Sequence, residues 1–338
     1  MPLRRVARVA LPAAVTAAVV VVLWRQLEPG ALSALLGSVS PSWLVTGTGC
    51  FLALHVVRAL RFRALLPGQA LSAGELLPLA LAVTLLGNTL PARGGEVSFV
   101  VLTRAGHGVP AAASTAAIAV ARVLDLIAVA AWFVPLALLA LPRLPAAAAW
   151  PRVVETRGVV ALVTAGVLLL AATAAAAAAQ GRRAAAAMGR LAERRGWSRR
   201  RWVGRVVAFV ADTAEALERL RTRRLLGTAL GLTGAAWLLT FAWLYAYFRS
   251  LGQEAPFGLF VVGVTFAVLS KALPLPSLGG HGPSEAGWAL GFTLLGWPPA
   301  TAIATGLAVS VLNVGTVFLF GLPALAWVGA RARRARGA

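Results

Sequence analysis

Leu90-Pro91-Ala92-Arg93-Gly94-Gly95-Glu96 returns later in the chain as Leu275-Pro276-Ser277-Leu278-Gly279-Gly280, followed after a short insertion by Glu285. Both copies lie in otherwise apolar sequence. A carboxylate, a proline and paired glycines are costly inside a bilayer, where freed backbone amides and carbonyls must find partners in protein or trapped water. Matched copies in the two halves point to a transport or binding site built from a repeat.

The flanks show how the signature is carried. Residues 75–107 and 257–297 each read as an apolar stretch, the signature, and a second apolar stretch. In the first, the piece after Glu96 is too short to cross ~30 Å of hydrocarbon at ~1.5 Å per residue, so the chain is expected to turn back. Full spans are expected at about 6–24, 42–60, 110–141, 158–180, 225–248 and 298–329. Hydrophobic residues make up 59% and charged residues 13%, which places the chain among polytopic membrane proteins. Arg4, Arg5 and Arg8 precede an apolar run to Trp24 with no small-residue cleavage site after it, so the first segment reads as an uncleaved span.

The net charge of +21 comes from 31 arginines and one lysine, mostly placed between the apolar segments. That distribution fits topology control and contact with anionic lipid headgroups, and it argues against nucleic acid as a partner. It also separates two topologies. If both signature regions are hairpins, the amino terminus, Arg58/Arg61/Arg63, the segment 181–224 with its 13 arginines and the Arg331–Arg336 tail share one side, the cytoplasm. If each region crossed once, the most basic segment would lie outside. The expected fold is therefore an all-α integral membrane protein with six full transmembrane helices plus two opposed re-entrant helical hairpins in an inverted repeat. The first repeat is 42–141 with its hairpin at 75–107, the second 225–329 with its hairpin at 257–297, and both termini are cytoplasmic.

The repeat extends past the hairpins. Gly108-Val109-Pro110 matches Gly296-Trp297-Pro298, Val123-Leu124-Asp125 matches Val311-Leu312-Asn313, and Pro135 matches Pro323, all at one offset of 188 residues. Upstream the register is open, because Asn88-Thr89-Leu90-Pro91 resembles both Lys271-Ala272-Leu273-Pro274 and the stretch after it.

Asn88-x-x-Pro91-x-Arg93-x-Gly95-Glu96, Arg104, Arg122-x-x-Asp125 and Pro276-x-x-Gly279-Gly280-x-Gly282-x-x-Glu285 together resemble the lysylphosphatidylglycerol synthase transmembrane-region family, a flippase-like group similar to the membrane flippase domain of the multiple peptide resistance factor. The resemblance covers about residues 40–330. It implies a bacterial or archaeal inner-membrane protein that moves or binds a polar lipid, and it adds Asn88 to the binding residues and Gly282 to the hairpin glycines. Family members often carry arginine where this chain has Ser310, and Asn313 stands where the first repeat has Asp125. Aminoacyl transfer in full-length relatives belongs to a separate soluble domain. The chain ends about nine residues after its last expected span, so that domain is not expected here.

Arg122 and Asp125, three apart on one helix face, are expected to pair, either as a structural ion pair or in contact with substrate. Glu96 and Glu285 follow glycine-rich breaks, where a carboxylate can cap freed amides or receive a cationic headgroup. Arg93, Arg104 and Lys271 suit a lipid phosphate, with interfacial snorkelling the simpler reading for Arg104. Pro91, Gly94, Gly95, Pro276, Gly279, Gly280 and Gly282 read as structural hairpin residues that allow close approach or positive torsions. Arg58, Arg61 and Arg63 read as orientation anchors.

His281 beside paired glycines admits a second reading, a membrane-embedded phosphatase, but no second acidic cluster or serine-arginine-serine run accompanies it. His55 and His107 lack metal-ligand spacing, the lone Cys50 excludes an internal disulfide or cysteine metal cluster, and no nucleotide-binding loop is present, so no metal or cofactor is expected. The favoured function is a non-enzymatic lipid flippase or polar-lipid transporter that binds a phospholipid headgroup between the repeats. A third reading is a scaffold that recruits a lipid-modifying enzyme or glycosyltransferase through 181–224, and self-association into a homo-oligomer is open.

Overall fold

The computed structural model describes residues 2–27, 29–69, 71–91, 94–140, 165, 180–195, 201–219, 223–272 and 277–337. The span expected at about 158–180 falls almost wholly outside these residues, as do Arg93 and Pro276. The described residues form α1 (Pro2–Trp24), α2 (Ala31–Gly37), α3 (Pro41–Leu65), α4 (Ala73–Thr89), α5 (Gly94–His107), α6 (Ala111–Ala140), α7 (Gly181–Arg194), α8 (Arg201–Arg219), α9 (Arg223–Ser250), α10 (Phe257–Ala272), α11 (Pro283–Leu294) and α12 (Pro299–Gly337). Among the described residues, four segments are long and apolar enough to cross a membrane: Pro41–Leu65, Ala111–Leu139, Arg224–Ser250 and Pro299–Arg334. The apolar parts of α1, α4 and α10 are shorter.

Local chemistry sets the helix ends. α4 begins with a capping box, in which Ser72 Oγ accepts from the Glu75 amide and Glu75 Oε2 accepts from the Ser72 amide at 2.9 Å. Proline opens α3, α11 and α12, where its missing N–H is no loss. Gly108 and Gly296 carry the chain from each short-helix pair into the next long helix with φ of +69° and +93°, torsions that glycine alone adopts without strain. Their identical place in the two halves, together with Pro135 inside α6 and Pro323 inside α12, gives the sequence repeat a structural counterpart.

Two ends of the molecule follow from the contacts. At one, the Ser40 amide donates to Ser250 O at 2.8 Å, Tyr245 Oη donates to Ala255 O, and Trp297 packs on Phe248. At the other, Leu65, Leu66, Leu71 and Leu76 share a cluster with Val109, Ala229 and Val328, and Arg331 pairs with Glu75. The α4–α5 pair opens at this second end and the α10–α11 pair at the first. Their closed tips meet inside, where Pro91 and Leu278 form an isolated antiparallel bridge and the Gly279 amide donates to Leu90 O at 3.3 Å. α1 reaches the same place: Thr16 Oγ1 accepts from the Leu278 amide at 2.9 Å and donates to His281 O at 3.2 Å.

Small residues let the paired helices close up, the usual device where lipid offers no hydrophobic drive between helices. A Cβ on Gly95 would lie 2.8 Å from Gly87 Cα, and one on Gly291 would lie 2.1 Å from Gly263 O. Around the second pair, Phe248, Phe260, Trp288 and Phe292 form a stacked aromatic core, with Trp288 and Phe292 centroids 4.8 Å apart. Because backbone borders Gly291, relief requires α10 and α11 to separate. Gly291→Ala is expected to cost about 1–3 kcal/mol and to lower the thermal midpoint in detergent, whereas Gly227→Ala, whose Cβ meets nothing within 4 Å, leaves it unchanged.

Candidate functional site at the meeting of the hairpin tips

The first half of the site is carried by α3, α5 and α6. Glu96 stands in the first turn of α5, directly after Gly94-Gly95, and faces Arg122 of α6. Arg122 Nη2 and Nε lie 2.7 and 2.9 Å from Glu96 Oε1. Asp125, one turn on, accepts from Arg61 Nη1 of α3 at 2.6 Å and from Trp237 Nε1 of α9 at 3.1 Å, and its second oxygen lies 3.7 Å from Arg122. The expected Arg122–Asp125 ion pair is present at 3.7 Å, though the nearer partner of Arg122 is Glu96. One expectation changes here. Arg61 is no interfacial anchor, since it closes a buried ion pair. The reason is desolvation: a carboxylate 15% exposed needs a charged partner of its own, and Arg61, at 7%, is enclosed with it. Arg122 remains 56% exposed, so its remaining donors are open to a ligand.

The second half repeats this contact with different chemistry. Glu285, in the first turn of α11, caps that helix by accepting from the Gly282 amide at 2.6 Å and from Ser284 Oγ at 2.9 Å. Its other oxygen accepts from Ser310 of α12 and faces His281 Nδ1 at 3.2 Å. Ser310 lies 188 residues after Arg122, so in both halves the hairpin glutamate reaches the same position of the following long helix. His281, isolated in the sequence reading, has Glu285 and Ser310 as neighbours.

The halves join across the tips. Lys271 Nζ donates to Asn88 Oδ1 at 3.3 Å. Gly279, Gly280 and Gly282 have positive φ, and a Cβ on Gly279 would lie 2.1 Å from Asn88 O. Gly94 and Gly95 take no positive torsion; they bring α5 against Leu90 and α4. Arg58 lies within electrostatic range of Arg61, Asp125 and Arg122 on one side and of Lys271 on the other, while Lys271 also feels Glu285. Among the described residues, the basic groups gathered around Glu96, Asp125 and Glu285 are therefore Arg58, Arg61, Arg122 and Lys271. An open, mostly apolar cleft of about 410 Å³ between α4 and α5 is lined by Leu86, Leu90, Pro91, Gly94, Val97, Ser98, Val101 and Leu102.

The other candidates lie apart. Arg104 is exposed in the last turn of α5. His55 is buried in α3, bonded to Phe51 O and Thr84 Oγ1, and His107 ends α5. No group of three metal-ligating side chains occurs among the described residues. Sequence reasoning missed Arg58 and Arg61 as site residues; their spacing of three in an apolar helix, the same signal that singled out Arg122 and Asp125, could have found them.

Asp125→Leu is expected to destabilise the protein by about 3–5 kcal/mol by stranding Arg61, and Arg61→Leu/Asp125→Leu is expected to recover most of the loss, as read by chemical unfolding in detergent.

The sequence pattern of the family described as Lysylphosphatidylglycerol synthase TM region matches residues 9–321. No curated protein and no solved structure matches this chain.

Proposed function

The chain belongs to the lysylphosphatidylglycerol synthase TM region family, and on that premise we propose that it is a lipid flippase or polar-lipid transporter that binds a phosphate-bearing headgroup where the two hairpin tips meet. The observation that carries this reading is the charge there: among the described residues, Arg58, Arg61, Arg122 and Lys271 gather around three carboxylates, an excess that a phosphodiester would satisfy. Arg122, half exposed and already oriented by Glu96, is the first phosphate ligand, with Lys271 opposite and Asn88 and Glu285 shaping the rim. Arg61 and Asp125 hold α3, α6 and α9 together beneath it. Arg93 follows Pro91 in sequence and is assigned to the same headgroup. The mostly apolar cleft between α4 and α5 takes the first part of an acyl chain.

In this reading the chain crosses the bacterial inner membrane six times and dips into it twice. Arg63, Arg224, Arg331, Arg333 and Arg334 flank the end at which α4 and α5 open, which makes that end cytoplasmic and the opening of α10 and α11 external. Two short-helix pairs that enter from opposite faces and meet at a polar centre are a transporter arrangement, in which each face can be opened in turn. The arginines of 181–224 rest on anionic lipid headgroups of the inner leaflet. A phosphatase reading has Ser310 beside both Glu285 and His281, but no serine-arginine-serine run accompanies them in the sequence.

Proteoliposomes with fluorescent phospholipids test the proposal. Arg122→Ala is expected to slow leaflet exchange about tenfold or more, the loss of one charge-assisted contact. Exchange by Glu96→Ala/Glu285→Ala equal to that of the unaltered protein would count against it.

A further inference from the structure

The two halves neutralise equivalent glutamates in different ways. Glu96 meets a guanidinium, Arg122, which stays charged at every physiological pH. Glu285 meets at the equivalent position a hydroxyl, Ser310, and its nearest cation is supplied instead by an imidazole, His281, 3.2 Å away. The second half thus has a switchable charge where the first has a fixed one. We propose that His281, Glu285 and Ser310 form a proton-binding site, and that the proton is a co-substrate of lipid movement; this second part rests on the transport reading above.

The chemistry balances with one proton. Neutral His281 donates Nδ1–H to Glu285 Oε1 and keeps a free lone pair on Nε2. A proton taken from water at Nε2 converts the ring to imidazolium, and the pair goes from one negative charge to none. Ser310 and the Gly282 and Ser284 donors hold the carboxylate in place in both states. The elements packed around the pair present Thr16 and Val19 from α1 and Lys271 from α10, with Arg58 of α3 beyond Lys271. Lys271, which donates to Asn88, lies within electrostatic range of Glu285, so neutralising that carboxylate by protonating His281 leaves the site more positive toward an anion. Proton and anionic headgroup therefore favour each other's binding, a reciprocal coupling. The side chain of His281 is 20% exposed, enough for exchange with a wet cavity.

Two readouts test this. In liposomes containing a fluorescent anionic phospholipid, exchange is expected to be several-fold faster at about pH 5.5 than at about pH 8, across the range in which histidine titrates. His281→Arg, which copies the fixed cation of the first half, is expected to bring that ratio to about one. Should His281→Arg not fold, His281→Gln is expected to remove the dependence too. Independently of transport, NMR of histidine-labelled protein in nanodiscs is expected to show a His281 ring resonance that responds to pH and whose response changes in Glu285→Gln. A protein that moves no lipid while His281 titrates in this manner refutes the transport reading and leaves the proton site standing. Undiminished pH dependence in the folded His281 variants, or a His281 resonance that does not titrate, overturns the proposal.

Discussion

Breaking a helix inside a bilayer frees amides and carbonyls with no water to receive them, and this chain breaks two. Each break satisfies part of the other. The Gly279 amide donates to Leu90 O, Pro91 and Leu278 form their antiparallel bridge, and Thr16 of α1 takes the Leu278 amide and returns a bond to His281 O. In the proposed re-entrant arrangement, this mutual satisfaction is what would let the tips lie at depth. It also dictates glycine at 279, because any side chain there would enter Asn88 O.

The charges follow from the same meeting. Once two tips share one place, the first turns of α5 and α11 bring Glu96 and Glu285 toward it, and the long helices that follow each pair supply Arg122 and Ser310 at repeat-equivalent positions. Repeat symmetry accounts for the contact; divergence within it accounts for the unequal chemistry of the halves. The Arg61–Asp125 pair, tied to Trp237, holds α3, α6 and α9 under the exposed Arg122. One arginine is thereby buried in an ion pair, while its neighbour in space stays half exposed.

Much of this architecture was legible in the sequence, and the reason is the price of polar groups in lipid. The all-helical membrane character, the paired signatures and the 188-residue offset come from residues that apolar surroundings would exclude without cause. The helices found at Pro41–Leu65, Ala111–Ala140 and Arg223–Ser250 match the expected spans to within a few residues. What escaped was partnership across helices. Arg122 and Asp125 are close in sequence, so pairing them was natural, yet Glu96 and Arg61 were the better partners because tertiary packing placed them nearer. The role of His281 was hidden likewise, for Ser310 comes from another helix. The contribution of α1, through Thr16, carried no sequence signal, since a threonine in an apolar helix usually bonds its own backbone.

The central claim, that the two broken elements touch tip to tip, is tested most directly by disulfide trapping. Residues opposed in an antiparallel bridge have Cα atoms about 4.5–5.5 Å apart, within the span of about 4.4–6.8 Å that a disulfide bridges. With Cys50→Ser removing the native thiol, Pro91→Cys/Leu278→Cys should oxidise within one chain in native membranes, so that the two halves stay linked after proteolysis between them. Halves that separate under oxidising conditions, although both thiols are present and the protein is folded, would contradict the account.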